Sequence, residues 1–104
     1  MSRRYKIELT PAAKRDLKKI ERGERHRIAA ALDALGQQDD PYWHVKKLEG
    51  APESAFYALR VGDYRVILTI EDQMMVIFVI EIERRRTVYR KYWGPDPSFS
   101  MNER

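Results

Sequence analysis

The chain has 104 residues, no cysteine, a formal charge of +4 and 35% charged side chains. A chain of this length holds one hydrophobic core, and without thiols it has neither disulfides nor a thiolate nucleophile or metal site. The start, MSRRYKIEL, lacks an apolar run of signal-peptide length, and the longest such run, Met74 to Ile80, is too short to cross a bilayer. The expectation is a soluble, cytoplasmic, single-domain protein with no membrane partner.

Taken in order, Tyr5 to Leu9 predicts a short edge strand whose exposed positions carry charge, a common guard against edge pairing. Thr10-Pro11 then opens a helix, with Thr as N-cap and Pro at the first helical position. Ala13, Leu17 and Ile20 recur at helical spacing, with Lys14, Arg15, Lys18 and Lys19 on the remaining surface, and the helix is expected to end near Gly23. A second helix is predicted from about Glu24 to Leu35, with Ile28, Ala31, Leu32 and Leu35 buried and Gly36 as the stop. The short break between them predicts an antiparallel helical hairpin.

From Gln37 to Ser54 the periodicity dissolves into a polar loop, and a structureless connector of that length is often functional. Lys46 and Lys47 are candidates for phosphate contacts there, while Trp43 and Leu48 are expected to pin the loop to the core. His44, beside Tyr42 and Trp43, reads more simply as packing or surface than as a catalyst, and His26 sits among charges on the second helix. Two histidines so differently placed give no ground for a metal site, and no cofactor motif is present.

Three strands follow. Phe56 to Arg60 turns through Val61-Gly62-Asp63, residue types that supply the positive-φ positions of a tight hairpin. Tyr64 to Ile70 alternates Tyr64, Val66, Leu68 and Ile70 against Arg65, Ile67 and Thr69, which leaves Arg65 as the odd charge in an apolar run. After Glu71-Asp72-Gln73, the strand from Met74 to about Glu83 is apolar on both faces down to Ile80, the pattern of a central, doubly covered strand. Antiparallel neighbours run back past each other, so Arg65 is expected near Arg84, Arg85 and Arg86. Residues 84 to 95 hold five basic groups (Arg84, Arg85, Arg86, Arg90 and Lys91) and no acid, interleaved with Tyr89, Tyr92 and Trp93. A phosphate-bearing, base-stacking partner calls for such a cluster; a solvated strand end pairing with Glu81 and Glu83 would look the same. The stretch from Gly94 to Arg104, with prolines at 95 and 97, is expected to be a surface tail.

The whole is an α+β pattern: an N-terminal strand, a helical hairpin, then a three-stranded antiparallel meander completing one sheet. With KKLEG before LRVGDYRVILTI, and RRRTVY after the last strand, residues 4 to 92 resemble the RelE toxins of the RelE/ParE toxin–antitoxin superfamily, whose fold is microbial-ribonuclease-like. The resemblance implies a metal-independent endoribonuclease that cuts messenger RNA in the ribosomal A site. It also implies the ribosome and its RNA as partners, and a RelB-like antitoxin as inhibitor. Arg65 matches the family's Tyr-Arg arginine and would hold the scissile phosphate. Arg85, with Arg84 the alternative, matches the arginine that stabilises the transition state, and Tyr89 matches the terminal tyrosine that stacks on a base or relays a proton. Lys46, Lys47, Arg60, Arg84, Arg86, Arg90 and Lys91 would contact RNA phosphates. One departure is visible: where some relatives carry two lysines before the glycine turn, this chain has Phe56 and Ala58. The general base is therefore unassigned, with Glu53 and His44 as candidates. A ParE-like gyrase inhibitor and a catalytically weak RNA- or antitoxin-binding module are the competing readings.

Overall fold

The structure, a computed structural model, describes residues 5–48 and 55–84. Thr10 caps the first helix as its sequence predicts: its hydroxyl accepts the Ala13 N–H at 3.1 Å and donates to the Ile80 carbonyl at 2.9 Å. Strand β1 (Lys6–Leu9) leads through it into helix α1 (Pro11–Lys19), and α2 (Arg22–Gly36) follows after two residues. The break thus falls at Ile20-Glu21, ahead of the expected Gly23, which lies inside α2. The expected polar loop is not structureless: it contains a 3-10 turn (Pro41–His44) and strand β2 (Lys46–Lys47). Strands β3 (Tyr57–Val61), β4 (Tyr64–Glu71) and β5 (Val76–Arg84) complete a five-stranded mixed sheet in the order β1-β5-β4-β3-β2.

This is the expected α+β fold with one strand more than the meander. Strand β2 pairs antiparallel with β3 at Lys46↔Ala58 and Lys47↔Tyr57, and the Leu48 N–H continues the ladder to the Phe56 carbonyl at 2.9 Å. Strand β1 is an edge, as predicted, and runs parallel to β5; its exposed Lys6 and half-buried Glu8 pair at 3.0 Å. Strand β5 lies inside the sheet between β1 and β4, as its apolar pattern predicts, and with β2 added on the β3 side the middle of the five is β4.

Both helices cover one face. Ala13, Ile20, Ile28, Leu32 and Leu35 pack there against Leu59, Val61, Val66, Leu68, Ile77, Val79 and Ile82. The opposite face carries a smaller cluster of Leu48, Ala58 and Ile67, flanked by Phe56 and Ile80. Leu48 therefore anchors its loop as expected, whereas Trp43 is 82% exposed and anchors nothing to the core. A ring of that size carries enough apolar surface to predict burial, but its position on the 3-10 turn points it outward.

Two close fits depend on glycine. At the β3–β4 hairpin Gly62 has φ of 58°, the left-handed region the sequence demanded there. Gly36 ends α2 against β1, where a Cβ would lie 2.7 Å from the Tyr5 carbonyl oxygen that the incoming strand presents.

Candidate RNA-contact face and its relatives

On the face away from the helices, strand pairing assembles charges that are scattered in sequence. Directly opposed residues share a face, so one row runs Lys46, Ala58, Ile67, Glu81 and the next runs Arg60, Arg65, Glu83. The first row is apolar at its middle, where Ala58 and Ile67 meet Leu48; the second is charged throughout. Two guanidinium-bearing strand positions thus lie side by side, with Lys46 one row away. Phe56 and Ala58, where some relatives carry lysines, belong to the apolar cluster.

A β-bulge decides which side chains reach this face. Ile67 pairs with Glu81 but Leu68 pairs with Val79, so Ile80 is an extra residue on β5. A bulge inverts the alternation beyond it. Regular pairing from Leu68 and Val79 would place Ile82 opposite Arg65 and Glu83 opposite Tyr64; the observed register puts Glu83 opposite Arg65 and Arg84 opposite Tyr64. Side chains of α1 hold this irregular segment past the end of β1: besides the Thr10 bond to the Ile80 carbonyl, the Asp16 carboxylate accepts the Ile82 N–H at 3.0 Å.

Sequence alone expected Arg65 near Arg84, and in register they are neighbours, but on opposite faces. The Arg84 guanidinium lies 5.2 Å from the Tyr64 ring centroid, a cation–π contact on the helix side. Arg65 is half-buried and its Nη1 donates to the Tyr64 carbonyl at 3.2 Å. Lys47, opposite Tyr57, falls on the helix side, and His44 is exposed at the end of the 3-10 turn. Arg85, Arg86, Tyr89, Arg90, Lys91 and Glu53 lie outside the described residues. Among the described residues no group of His, Asp and Glu side chains is arranged to hold a metal ion.

A second polar cluster, which the sequence did not announce, sits at the far end of β4, some 20 Å from Arg65 at about 3.3 Å per strand residue. Asp72 accepts the hydroxyls of Tyr5 and Tyr42, each at 2.8 Å, and the Tyr42 ring meets Tyr57 edge-on at 5.4 Å. Burial, then the bond to the Asp72 carboxylate and its charge, pushes the Tyr5 hydroxyl up to about 12 and raises Tyr42 for the same reasons. Neither phenol is poised to give up a proton near neutrality, so this cluster is a clamp between β1, the 3-10 turn and the β4–β5 turn.

The model of the ParE toxin of type II toxin-antitoxin systems, parDE, matches residues 7–89. The chain belongs to the ParE toxin family. As such it is a toxin of a toxin–antitoxin system, within the RelE/ParE superfamily that its motifs resemble. Among solved structures this ParE-family chain is similar to the archaeal RelE of a RelE–RelB complex from Pyrococcus horikoshii, at 26% identity and a TM-score of 0.65 over 79% of this chain and 96% of that one. It is also similar to a chain of the RelBE2 toxin–antitoxin complex from Mycobacterium tuberculosis, at 25% identity and 0.60 over 82% and 95%. A mutant of the E. coli toxin RelE in the free state shares the fold, at 22% identity and 0.63 over 86% and 94%. No curated protein matches the chain. The family model thus carries the ParE name while these three solved structures carry the RelE name. Among the described residues no helix is long and apolar enough to cross a membrane.

Proposed function

We propose that this toxin is a ribosome-dependent endoribonuclease of the cytoplasm, cutting messenger RNA without a metal ion and held inactive by a RelB-like antitoxin. The observation that carries the reading is the row Arg60, Arg65, Glu83 with Lys46 beside it. Arg60 and Arg65 stand side by side in this row, so a phosphate seated on it meets two guanidinium groups at once. Cleavage through the RNA 2′-hydroxyl needs a base for that proton, positive charge at the crowded phosphorane and an acid for the leaving oxygen. Arg65 holds the scissile phosphate, for which a planar guanidinium with paired donors is suited. Arg60 and Lys46 hold the flanking backbone. Glu83, opposite Arg65 and carrying the only kind of group in the row able to accept a proton, is assigned the base. Arg84 is engaged with Tyr64, so transition-state stabilisation stays with Arg85, as the family resemblance implies, and Tyr89 stacks on a base or relays the leaving proton. Lys47, Arg84, Arg86, Arg90 and Lys91 serve as peripheral phosphate contacts.

The match to the ParE family model supports a second reading, a gyrase inhibitor that acts by binding a protein. A purified translation reaction and a supercoiling assay separate the two. Codon-phased cuts in ribosome-bound message, lost in Arg65→Ala and weakened with loss of the acidic limb of the pH profile in Glu83→Gln, support the ribonuclease. Blocked supercoiling with intact message supports the gyrase reading and overturns ours.

A further inference from the structure

The helix side of the molecule carries a second basic surface that the cleavage reading does not use. In α1, Ala13, Leu17 and Ile20 turn to the core, and Asp16 turns to the Ile82 N–H. At about 100° per residue this leaves Lys14, Arg15, Lys18 and Lys19 as one continuous outward arc, in two rows whose members are about 6 Å apart along the axis. Arg22 opens α2 after a two-residue break, and all five are exposed. Among the described residues none of the five is ion-paired or hydrogen-bonded through its side chain; the nearby Glu24 is paired with Arg27 at 3.6 Å. The one other acid of this segment is exposed Glu21.

The chemistry of the arc selects its partner. An acidic protein would need apolar anchors at the centre of its footprint, and between Lys14 and Arg22 every large apolar side chain faces inward. Single-stranded nucleic acid would need rings to stack on, and this stretch has none. A regular row of cations without rings or anchors suits the phosphate ridge of a duplex, which is bound through charge and shape. We propose that the outward face of α1, together with Arg22, is a second RNA-binding surface that takes the phosphate backbone of duplex RNA without reading its sequence. The choice of RNA over DNA rests on the ribonuclease reading; the binding surface does not. In that setting the sheet face engages the single-stranded message while the helix face docks on structured RNA around it.

The test is fluorescence anisotropy of the full chain with a mixed-sequence RNA duplex, titrated across salt. The quadruple variant Lys14→Ala/Arg15→Ala/Lys18→Ala/Lys19→Ala keeps good helix formers at exposed positions, and circular dichroism checks its fold. Each phosphate contact contributes about 0.9 to the slope of log affinity against log salt, so the variant should lose about 3 to 4 from that slope and bind at least about tenfold more weakly at moderate salt. Arg60→Ala/Arg65→Ala should retain most duplex binding. If the quadruple variant unfolds, the pair Lys14→Gln/Lys18→Gln should show about half the change in slope. Unchanged duplex binding by a folded helix variant overturns the proposal, as does loss confined to the sheet-face variant. Weakened binding of the cognate antitoxin with normal duplex binding would reassign the arc to a protein, and equal affinity for a DNA duplex would overturn the commitment to RNA. A wild-type chain that binds duplex but never cuts message sinks the ribonuclease reading and leaves this surface standing.

Discussion

Arg60 and Arg65 face each other directly across β3 and β4, like charges whose repulsion opposes folding, and Glu83 across β5 offsets it only from the far side of Arg65. Replacing the exposed member with its opposite charge reverses the sign of that interaction. Arg60→Glu should therefore raise the melting temperature while reducing cleavage of ribosome-bound message, a trade expected where charge is placed for a ligand. A variant that melts lower than wild type would show that the row is already neutralised in the free protein. Arg65→Ala should cost about 10²–10³ in rate, the usual scale for removing one preorganised electrostatic stabiliser. Because Arg65 is half-buried within β4, thermal melting must accompany the kinetics. Cleavage at the wild-type rate would reduce Arg65 to a structural ion-pair partner.

At the scale of elements, two side chains from α1 complete the outer edge of β5 where β1 has ended. Asp16→Ala leaves the Ile82 N–H without its acceptor, and an unsatisfied buried backbone donor costs about 1–3 kcal/mol. Urea unfolding should show that loss, and activity should fall with it because Glu83 follows directly; a neutral Asp16→Ala would mean that water replaces the carboxylate. The clamp at the other end of β4 makes an alkaline prediction. The Tyr5 hydroxyl ordinarily ionises at 10.0 and in the fold at about 12, so folding favours its protonated form. Its contribution is complete below pH 10.0 and is lost as pH rises towards about 12. Tyr5→Phe, which has no proton to lose, should be less stable than wild type at neutral pH and should lose stability less steeply across that window. Parallel curves for the two proteins would remove Tyr5 from the clamp. These elements also show what sequence could supply. The Thr10-Pro11 cap, the Gly62 turn and the alternation of Tyr64 to Ile70 were legible because each is a local signal. Strand β2 was not, since two lysines become a strand only by pairing with Ala58 and Tyr57. The bulge was equally silent: from Met74 to Ile80 every residue is apolar, so no alternation existed to be broken. Asp16 read as one more charge on a charged helix, and nothing in its neighbours along the chain points to Ile82.

For the molecule as a whole, charge is divided between two sides of one sheet. The sheet-side arginines and the α1 arc lie back to back, separated by the apolar layer between helices and strands. On the proposed reading, a particle basic on both sides is embraced by folded RNA, whereas an antitoxin need cover only the sheet side to stop cleavage. The separation also explains why net charge was a poor guide, since acids such as Asp16 and Glu24 contribute to the total while being turned to backbone or to Arg27. The extra Ile80 carries a further implication for how such toxins diverge. Because strand side chains alternate, the bulge acts as a buffer for chain length: losing Ile80 alone would straighten β5 and leave Ile67 opposite Glu81 and Arg65 opposite Glu83, whereas closing the bulge with Ile80 retained would hand Tyr64 the acid and Arg65 an isoleucine. A lineage can therefore lose or regain one codon at this place in β5 without moving the charged row, as the bulge closes or opens with it. An alignment that forbids a gap at this bulge would exchange the faces of every residue beyond it.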